Sequence, residues 1–459
     1  MQQPQAQPAE KFSEKFTDHA VNGVNLTEQT ADFVAAHRTE DVRQLALKAK
    51  RVEGLDLPLA LDQIAGWQIA CKKLPQWASC EGIIYPPHIS MEQCSSQFTA
   101  QYKSEIAQTL LTPAVTVRAR MSDSAESDTQ ETKTGVRVTD SPESDTLVAR
   151  SSMVDLTGGF GVDFSYLARG FSQATYVERQ RHLCDLAEHN MAALGLDQAR
   201  IVCGDGVEYL RQMDPVDFIY LDPARRDEHG SRTYAIEDCT PNVLELRDLL
   251  LAKSQCTLVK LSPMLDWRKA VADFDGTVRE VHIVATGNEC KELLLVLGQQ
   301  VHEEPSAPRV FCVNDNQRID YDSAAYTQGL RIGGKPLPEA KNYLYEPNAS
   351  IMKAGCFDLV EERFGVTQVG PSSHLFVSAT PVADFPGRGF AIEAIGGMNK
   401  KDIKRLLNGT KQANIAVRNF PLTAPQLRKK LKLADGGPVY LFGTTMQGCD
   451  HVLLRTSKI

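Results

Sequence analysis

Three features of the 459-residue sequence predict an α/β fold: a seven-stranded Rossmann-like sheet, with an all-α region before it and smaller α+β domains after it. The stretch MVDLTGGFGVD (153–163) carries an apolar segment ending in Asp155 into Gly158, Gly159 and Gly161, and then into a helical pattern. That reads as a buried strand, a glycine turn and a helix, which lets backbone N–H groups approach an anionic group at the helix N-terminus. From 151 to 297 apolar runs alternate with helical stretches, the pattern of a doubly wound parallel sheet. Acidic residues also end four successive runs: Asp155, Glu178, Asp205 and Asp222. In an open parallel sheet such positions face one crevice at the carboxyl ends of the strands.

Composition bounds the setting. Apolar residues make up 42% and charged residues 24%, ordinary values for a globular protein, and no apolar run reaches the roughly 18 residues that span a membrane. The polar start (MQQPQAQPAEKFSEKF) lacks a signal-peptide core, so 1–25 is expected to be a disordered N-terminus. The 11 cysteines are odd in number and form no C-x-x-C pair, which suits reduced thiols in the cytoplasm and no metal site. The net charge of −8 divides unevenly: −5 over 1–150, −11 over 151–330 and +8 over 331–459. A basic body attached to an acidic one is the footprint a polyanion would need.

In chain order, residues 26–118 read as a helical domain with no obvious chemistry; Trp67, Trp77 and His88 are expected to be core or surface residues. Residues 119–148 are rich in Ser, Thr, Asp and Glu, and are expected to be a disordered acidic insertion. The sheet domain is placed at 149–299, with strands at 153–156, 174–177, 200–203, 216–221, 256–261, 278–285 and 292–297. The short loop 286–291 closes it with an antiparallel hairpin. Residues 300–345 are expected to form a small α+β domain and 346–459 a further basic unit. Within that unit 398–432 holds ten Lys/Arg against one acid, Asp402.

The chemistry lies at the strand ends. Glu178 follows Asp155 by 23 residues, where a carboxylate can accept both hydrogens of a ribose diol. Asp205 and Gly206 follow the third strand, suited to an adenine amino group, and Asp222-Pro223-Ala224-Arg225 follows the fourth. A nicotinamide-binding domain is the nearest competitor, but its glycine pattern is G-x-G-x-x-G and not D-x-x-G-G-x-G. Lys260, Ser262 and Asp266 fall at the end of the fifth strand and are expected to line the same crevice.

On these residues the chain resembles the class I S-adenosylmethionine-dependent methyltransferases, with DLTGGFG as the cofactor loop and DPAR as the fourth motif. Thr157 stands where the first glycine of that loop is usual, a departure that some RNA-modifying branches share. The resemblance implies cofactor contacts from Asp155, Thr157, Gly158, Gly159, Gly161, Asp163, Glu178, Asp205 and Gly206. It implies catalytic roles for Asp222, Pro223 and Arg225: Asp222 and the Pro223 carbonyl gripping an exocyclic amine, Arg225 stacking on a base or holding a phosphate. Carbon methylation through a cysteine is the weaker reading, because Cys256 opens the fifth strand and does not follow it.

Over 26–459 the chain also resembles a bacterial methyltransferase family with ferredoxin-like and THUMP-like C-terminal domains. MEQCSSQFTAQYK, YLDPARRD, LVKLSPMLDW, YLYEPNASIMKAG and NIAVRNFPLTAPQLRKKLKL carry that likeness. THUMP domains dock structured RNA, which makes Lys400, Lys401, Lys404, Arg405, Arg418, Arg428, Lys429 and Lys430 candidate RNA contacts. The expected function is methylation of a base nitrogen in tRNA or rRNA. The alternatives are an RNA-binding protein with a non-catalytic methyltransferase fold and a methyltransferase acting on protein or a small molecule.

Overall fold

The computed structural model describes residues 26–48, 52–111, 151–225, 236–298, 307–326, 341–448 and 450–459. The expected disordered segments 1–25 and 119–148 lie outside them. The chain divides into two compact units, Met1–Leu261 with Val296–Val301, and Ser262–Leu295 with His302–Ile459.

Among the described residues the first unit opens with six helices: α1 (Glu28–His37), α2 (Val42–Lys48), α3 (Leu57–Lys73), α4 (Pro75–Ala78), α5 (His88–Gln93) and α6 (Gln97–Leu111). Thr27 and Asp56 cap α1 and α3 by accepting from Thr30 and Leu59 backbone N–H groups. The sheet follows as β1 (Ser152–Asp155), β2 (Gln173–Glu178), β3 (Ala199–Cys203), β4 (Val216–Leu221), the short β5 (Ala224–Arg225) and β6 (Cys239–Thr240), and β7 (Ser254–Leu261). Helices α7 (Val162–Leu167), α8 (Arg181–Ala193), α9 (Gly206–Gln212) and α10 (Val243–Lys253) connect them. Neighbours β1–β2, β1–β4, β2–β3 and β4–β7 are all parallel. Central strands read as continuous apolar runs such as Phe218–Leu221 because both faces are covered.

Trp77 on α4 is buried, donates to Ser165 Oγ on α7 at 3.1 Å and packs 5.0 Å from the Phe160 ring. Asn190 on α8 exchanges two 2.9 Å bonds with the Ile84 backbone. The helical region is therefore part of the sheet domain's core.

Next in the chain α11 (Trp267–Asp273) leads to β8 (Val278–Thr286), β9 (Glu289–Gly298), β10 (Arg309–Asn314) and β11 (Gln317–Asp322). The hydrogen-bonded order is β11-β10-β8-β9-β7-β4-β1-β2-β3. The seven expected strands are all there, and β10, parallel to β8, and β11, antiparallel to β10, extend them to nine. The apolar strand residues of 309–322 thus pair with this sheet and do not open the separate domain expected from 300.

A second sheet is built from β12 (Tyr343–Pro347), β13 (Thr367–Gln368), β14 (Phe376–Ser378), β15 (Gly387–Gly396), β16 (Asn414–Arg418), β17 (Val439–Thr445) and β18 (His451–Lys458). Its helices are α12 (Ala349–Ala354), α13 (Phe357–Phe364), α14 (Lys400–Leu407) and α15 (Ala424–Leu431). Leu406 of α14 and Leu427 and Leu431 of α15 share one core with Leu441 and Leu453, whereas Phe442 and Leu454 join a second core. Period-2 alternation along β17 and β18 feeds both layers, so α14 and α15 cover the same face.

Candidate active site

The loop after β1 is stitched to its neighbours through its backbone. Thr157 N donates to Asp155 Oδ1 at 2.9 Å, Gly158 N to Val177 O at 2.9 Å and Gly159 N to Glu178 Oε2 at 3.0 Å. The Tyr176 hydroxyl donates to the Gly159 carbonyl. A Cβ at Gly158 would lie 2.1 Å from the Tyr176 ring, so only glycine fits there. At Gly206 a Cβ would lie 2.2 Å from the Leu156 carbonyl, which brings the loop after β3 directly onto the loop after β1. Gly159 differs: at φ +54° a Cβ would meet nothing nearer than Thr157 O at 3.7 Å, so this side of the loop is open.

Thr157 has a definite task where glycine is usual. Its Oγ1 accepts from Asp222 N at 2.6 Å and so fixes the start of the DPAR segment to the glycine loop. Asp222 in turn receives Lys260 Nζ at 2.5 Å on Oδ2. Lys260 lies 3.8 Å from Asp163 Oδ2, and Lys103 of α6 lies 3.2 Å from Asp163 Oδ1. Asp222, Lys260, Asp163 and Lys103 therefore alternate in sign from the strand end into the core. Asp163 Oδ2 also accepts from Ser95 Oγ at 2.8 Å and from the Tyr220 hydroxyl at 2.7 Å.

Burial alone would raise the Asp163 carboxyl, but Lys103 first, then Lys260, Tyr220 and Ser95, hold it below the usual carboxylate range. Among the described residues no cation pairs with Asp155. Burial pushes it up to about 8 against the Thr157 N–H bond, and the Asp163 and Asp222 charges add to the rise. A cation bound near Asp155 would favour its ionised form.

The structure sorts the expected site residues. Asp155, Thr157, Gly158, Gly159, Glu178 and Asp222 meet around one loop. Asp163 is committed to the internal network. Asp205 is exposed and caps α9, its Oδ1 accepting from Val207 and Glu208 N–H groups at 2.8 and 3.0 Å. Gly161, at φ +83°, starts α7 against Met191 Cε. Pro223 is buried, and Arg225 contributes backbone to β5, paired with Cys239; its side chain lies outside the described residues. Ser262 Oγ accepts from Met264 N, and Asp266 caps α11.

Lys103, Ser95, Tyr176 and Tyr220 were absent from the sequence-based site. Lys103 carried a readable signal: it shares the buried stripe of α6 with Ala100, Ile106 and Ala107, where a lysine needs a partner.

The donor set suits the implied cofactor. Glu178 accepts one N–H on each oxygen, Gly159 N on Oε2 and Gln180 N on Oε1. Each carboxylate oxygen therefore keeps a lone pair for a vicinal diol, beside the open face of Gly159.

On the second sheet, Lys400, Lys401, Lys404, Lys429 and Lys430 are exposed. Arg405 is exposed too, but it donates to Ile395 O and pairs with Asp402 at 3.2 Å. Arg418 pairs with the buried Glu346 at 2.9 Å. Arg428 donates to Ala413 O at 2.9 Å and pairs with Asp435 at 2.6 Å. Arg418 and Arg428 thus hold the fold, a use their place in a basic run does not reveal.

A parallel sheet with this loop and these strand-end carboxylates defines a methyltransferase-type domain. A presumed methyltransferase from Porphyromonas gingivalis W83 matches at 30% identity over 94% of this chain and 97% of its own, with a TM-score of 0.75. Residues 343–386 match a ferredoxin-like domain and 387–458 a THUMP-like domain. The chain belongs to this family of methyltransferase-type proteins with ferredoxin-like and THUMP-like C-terminal domains. The ferredoxin-like match thus begins at 343, near the end of the 300–345 span in which the small α+β domain is expected.

Two more distant structures also match. An rRNA methylase from Streptococcus thermophilus has 14% identity over 33% of this chain and 89% of its own, with a TM-score of 0.25. An O-methyltransferase from Bacillus cereus, solved with S-adenosylhomocysteine, has 10% identity over 56% and 96%, with a TM-score of 0.31. Neither bears on the substrate of this chain. No curated protein matches.

Proposed function

We propose that this protein is an S-adenosylmethionine-dependent methyltransferase that modifies a base nitrogen in tRNA or rRNA. The observation that carries the reading is the convergence of the Thr157–Gly159 loop, Glu178 and Asp222 at adjacent parallel strand ends, with Gly159 open. S-adenosylmethionine supplies a methyl group on a good sulfonium leaving group. Glu178 receives the ribose hydroxyls and Asp155 lies near the cationic part. Asp205 takes the adenine amine on its second oxygen.

Asp222 Oδ1 and the Pro223 carbonyl accept the hydrogens of the target amine and so orient its lone pair. Lys260 anchors Oδ2 and Thr157 anchors the Asp222 backbone, so the accepting group is held before substrate arrives. The chain's contribution is alignment of two reactants, which can lower a barrier by about 7–11 kcal/mol. We place the catalytic domain from 149 through β11, and assign RNA docking to the THUMP-like module through Lys400, Lys401, Lys404, Lys429 and Lys430.

Transfer of a radiolabelled methyl group to total cellular RNA, followed by nucleoside analysis, tests this. The expected product is an N-methylated base, abolished by Asp222→Ala. Label in protein alone, or in a carbon-methylated base, contradicts the substrate assignment.

A further inference from the structure

The helical region before β1 encloses a cavity of about 290 Å³ whose lining includes Val34, Arg38, Trp67, Cys80, Ile83 and Tyr85. Most of this lining is apolar, but Arg38 and Tyr85 bring polar groups to it. Tyr85 is 6% exposed, and its hydroxyl has no hydrogen-bond partner among the described residues. Buried polar groups are normally satisfied, so an orphan at a cavity wall points to a ligand. Gln63 binds both Tyr85 backbone groups at 2.8 Å, Nε2 to its carbonyl and Oε1 from its N–H, so only the phenol is left over.

The Arg38 guanidinium stacks 4.9 Å from the Trp67 ring centroid, and no carboxylate among the described residues pairs with it. Arg38 and the Cys80 thiol are among the groups acting on the Tyr85 hydroxyl. The guanidinium-bearing Arg38 and the phenol-bearing Tyr85 both line this cavity. Glu81, also in the lining, is exposed.

The Gly82–Ile84 segment, which carries Ile83 into the lining, is held in place. His189 Nε2 lies 2.7 Å from Gly82 O, and Asn190 grips Ile84 through two 2.9 Å bonds.

We propose that this cavity binds a small apolar carboxylate, its body against Val34, Trp67 and Ile83 and its carboxylate received by Arg38 and the Tyr85 hydroxyl. Two donors in an apolar hollow match the two oxygens of a carboxylate. A phosphate, with more oxygens to satisfy, would be left short of donors. The volume is at the small end of ligand sites, which limits the body to about one ring or a short chain. This assignment does not rest on the methyltransferase reading.

The test is titration of the full chain with benzoate and with hexanoate, followed by calorimetry or ligand-observed NMR, with benzyl alcohol as the uncharged control. Saturable binding of either acid is expected, at least tenfold tighter than the alcohol and at least tenfold weaker in Arg38→Gln and in Tyr85→Phe. Tyr85→Phe is expected to keep the wild-type unfolding midpoint, since the hydroxyl it loses makes no internal bond. Failure of both acids to saturate the folded wild-type chain, or binding that neither substitution weakens, would overturn the assignment.

Discussion

Around Asp163 charges are buried and paired, whereas on α14 and α15 they stand in water. Lys103, Asp163 and Lys260 side chains are 0, 11 and 14% exposed and lie within 4 Å of a partner. Lys400, Lys401, Lys404, Lys429 and Lys430 are exposed on one helical layer. A buried charge is costly unless it is paired, so removing one member of the first group injures the fold. An exposed lysine is nearly neutral for stability, so the second group is free to serve an outside partner. The two regions use the same residue types under opposite constraints.

The largest expected effect follows from breaking the buried side. Lys103→Met should leave the Asp163 carboxylate with only the more distant Lys260 and lower stability by about 3–5 kcal/mol, read from urea midpoints. The double variant Lys103→Met, Asp163→Asn should recover part of that loss. An unchanged midpoint for the single variant would show that the pair does not hold the helical region to the sheet.

Asp155 gives a smaller effect with a definite sign. Its folded pKa lies above its unfolded value, so between about pH 4 and pH 8 the folded state holds a proton that the unfolded state has released. Stability from this group is therefore full below about pH 4 and declines as pH rises toward 8. Asp155→Asn should flatten the curve of stability against pH over that window and gain on the wild type as pH rises. An identical slope in both proteins would contradict the burial argument.

Thr157→Gly should cost about 1 kcal/mol, the typical worth of one hydrogen bond. It should also slow methyl transfer, through a less fixed Asp222, more than it weakens cofactor binding. A larger loss in binding than in rate would place Thr157 at the cofactor instead.

The smallest effect on the fold belongs to the basic layer. Replacing Lys400, Lys401, Lys429 and Lys430 with alanine should leave the unfolding midpoint within about 0.5 kcal/mol of wild type. It should weaken RNA binding, and flatten the slope of log K against log salt by about 0.7–0.9 for each phosphate that is no longer neutralised. Arg428→Ala should do the reverse, lowering stability because its guanidinium ties Ala413, Ala434 and Asp435 together.

The sequence revealed backbone features more readily than side-chain commitments. The glycine loop was legible because Gly158 and Gly206 sit where any Cβ would collide, and the strand-end acids were legible because a parallel sheet places them by topology. Strand membership beyond β9 was not, since Arg309–Asn314 is an ordinary apolar strand whose partner β8 is a matter of tertiary pairing. Capping was similarly hidden: Asp205 and Asp266 each end a loop before a helix, and a cap and a ligand contact need the same residue type at the same position. Ser95 and Lys103 reach Asp163 across 60 or more residues of sequence, and no local pattern reports such a distance.

The most direct measurement is a calorimetric titration of the full chain with S-adenosylhomocysteine. Saturable one-to-one binding in the micromolar range is expected, weakened at least a hundredfold by Glu178→Ala, as follows from loss of two hydrogen bonds to a charged group at about 1.5–3 kcal/mol each. A folded wild-type chain that releases no binding heat and shows no shift in unfolding temperature, or a Glu178→Ala variant that binds as well, would contradict the assignment of Glu178 and its loop to the cofactor.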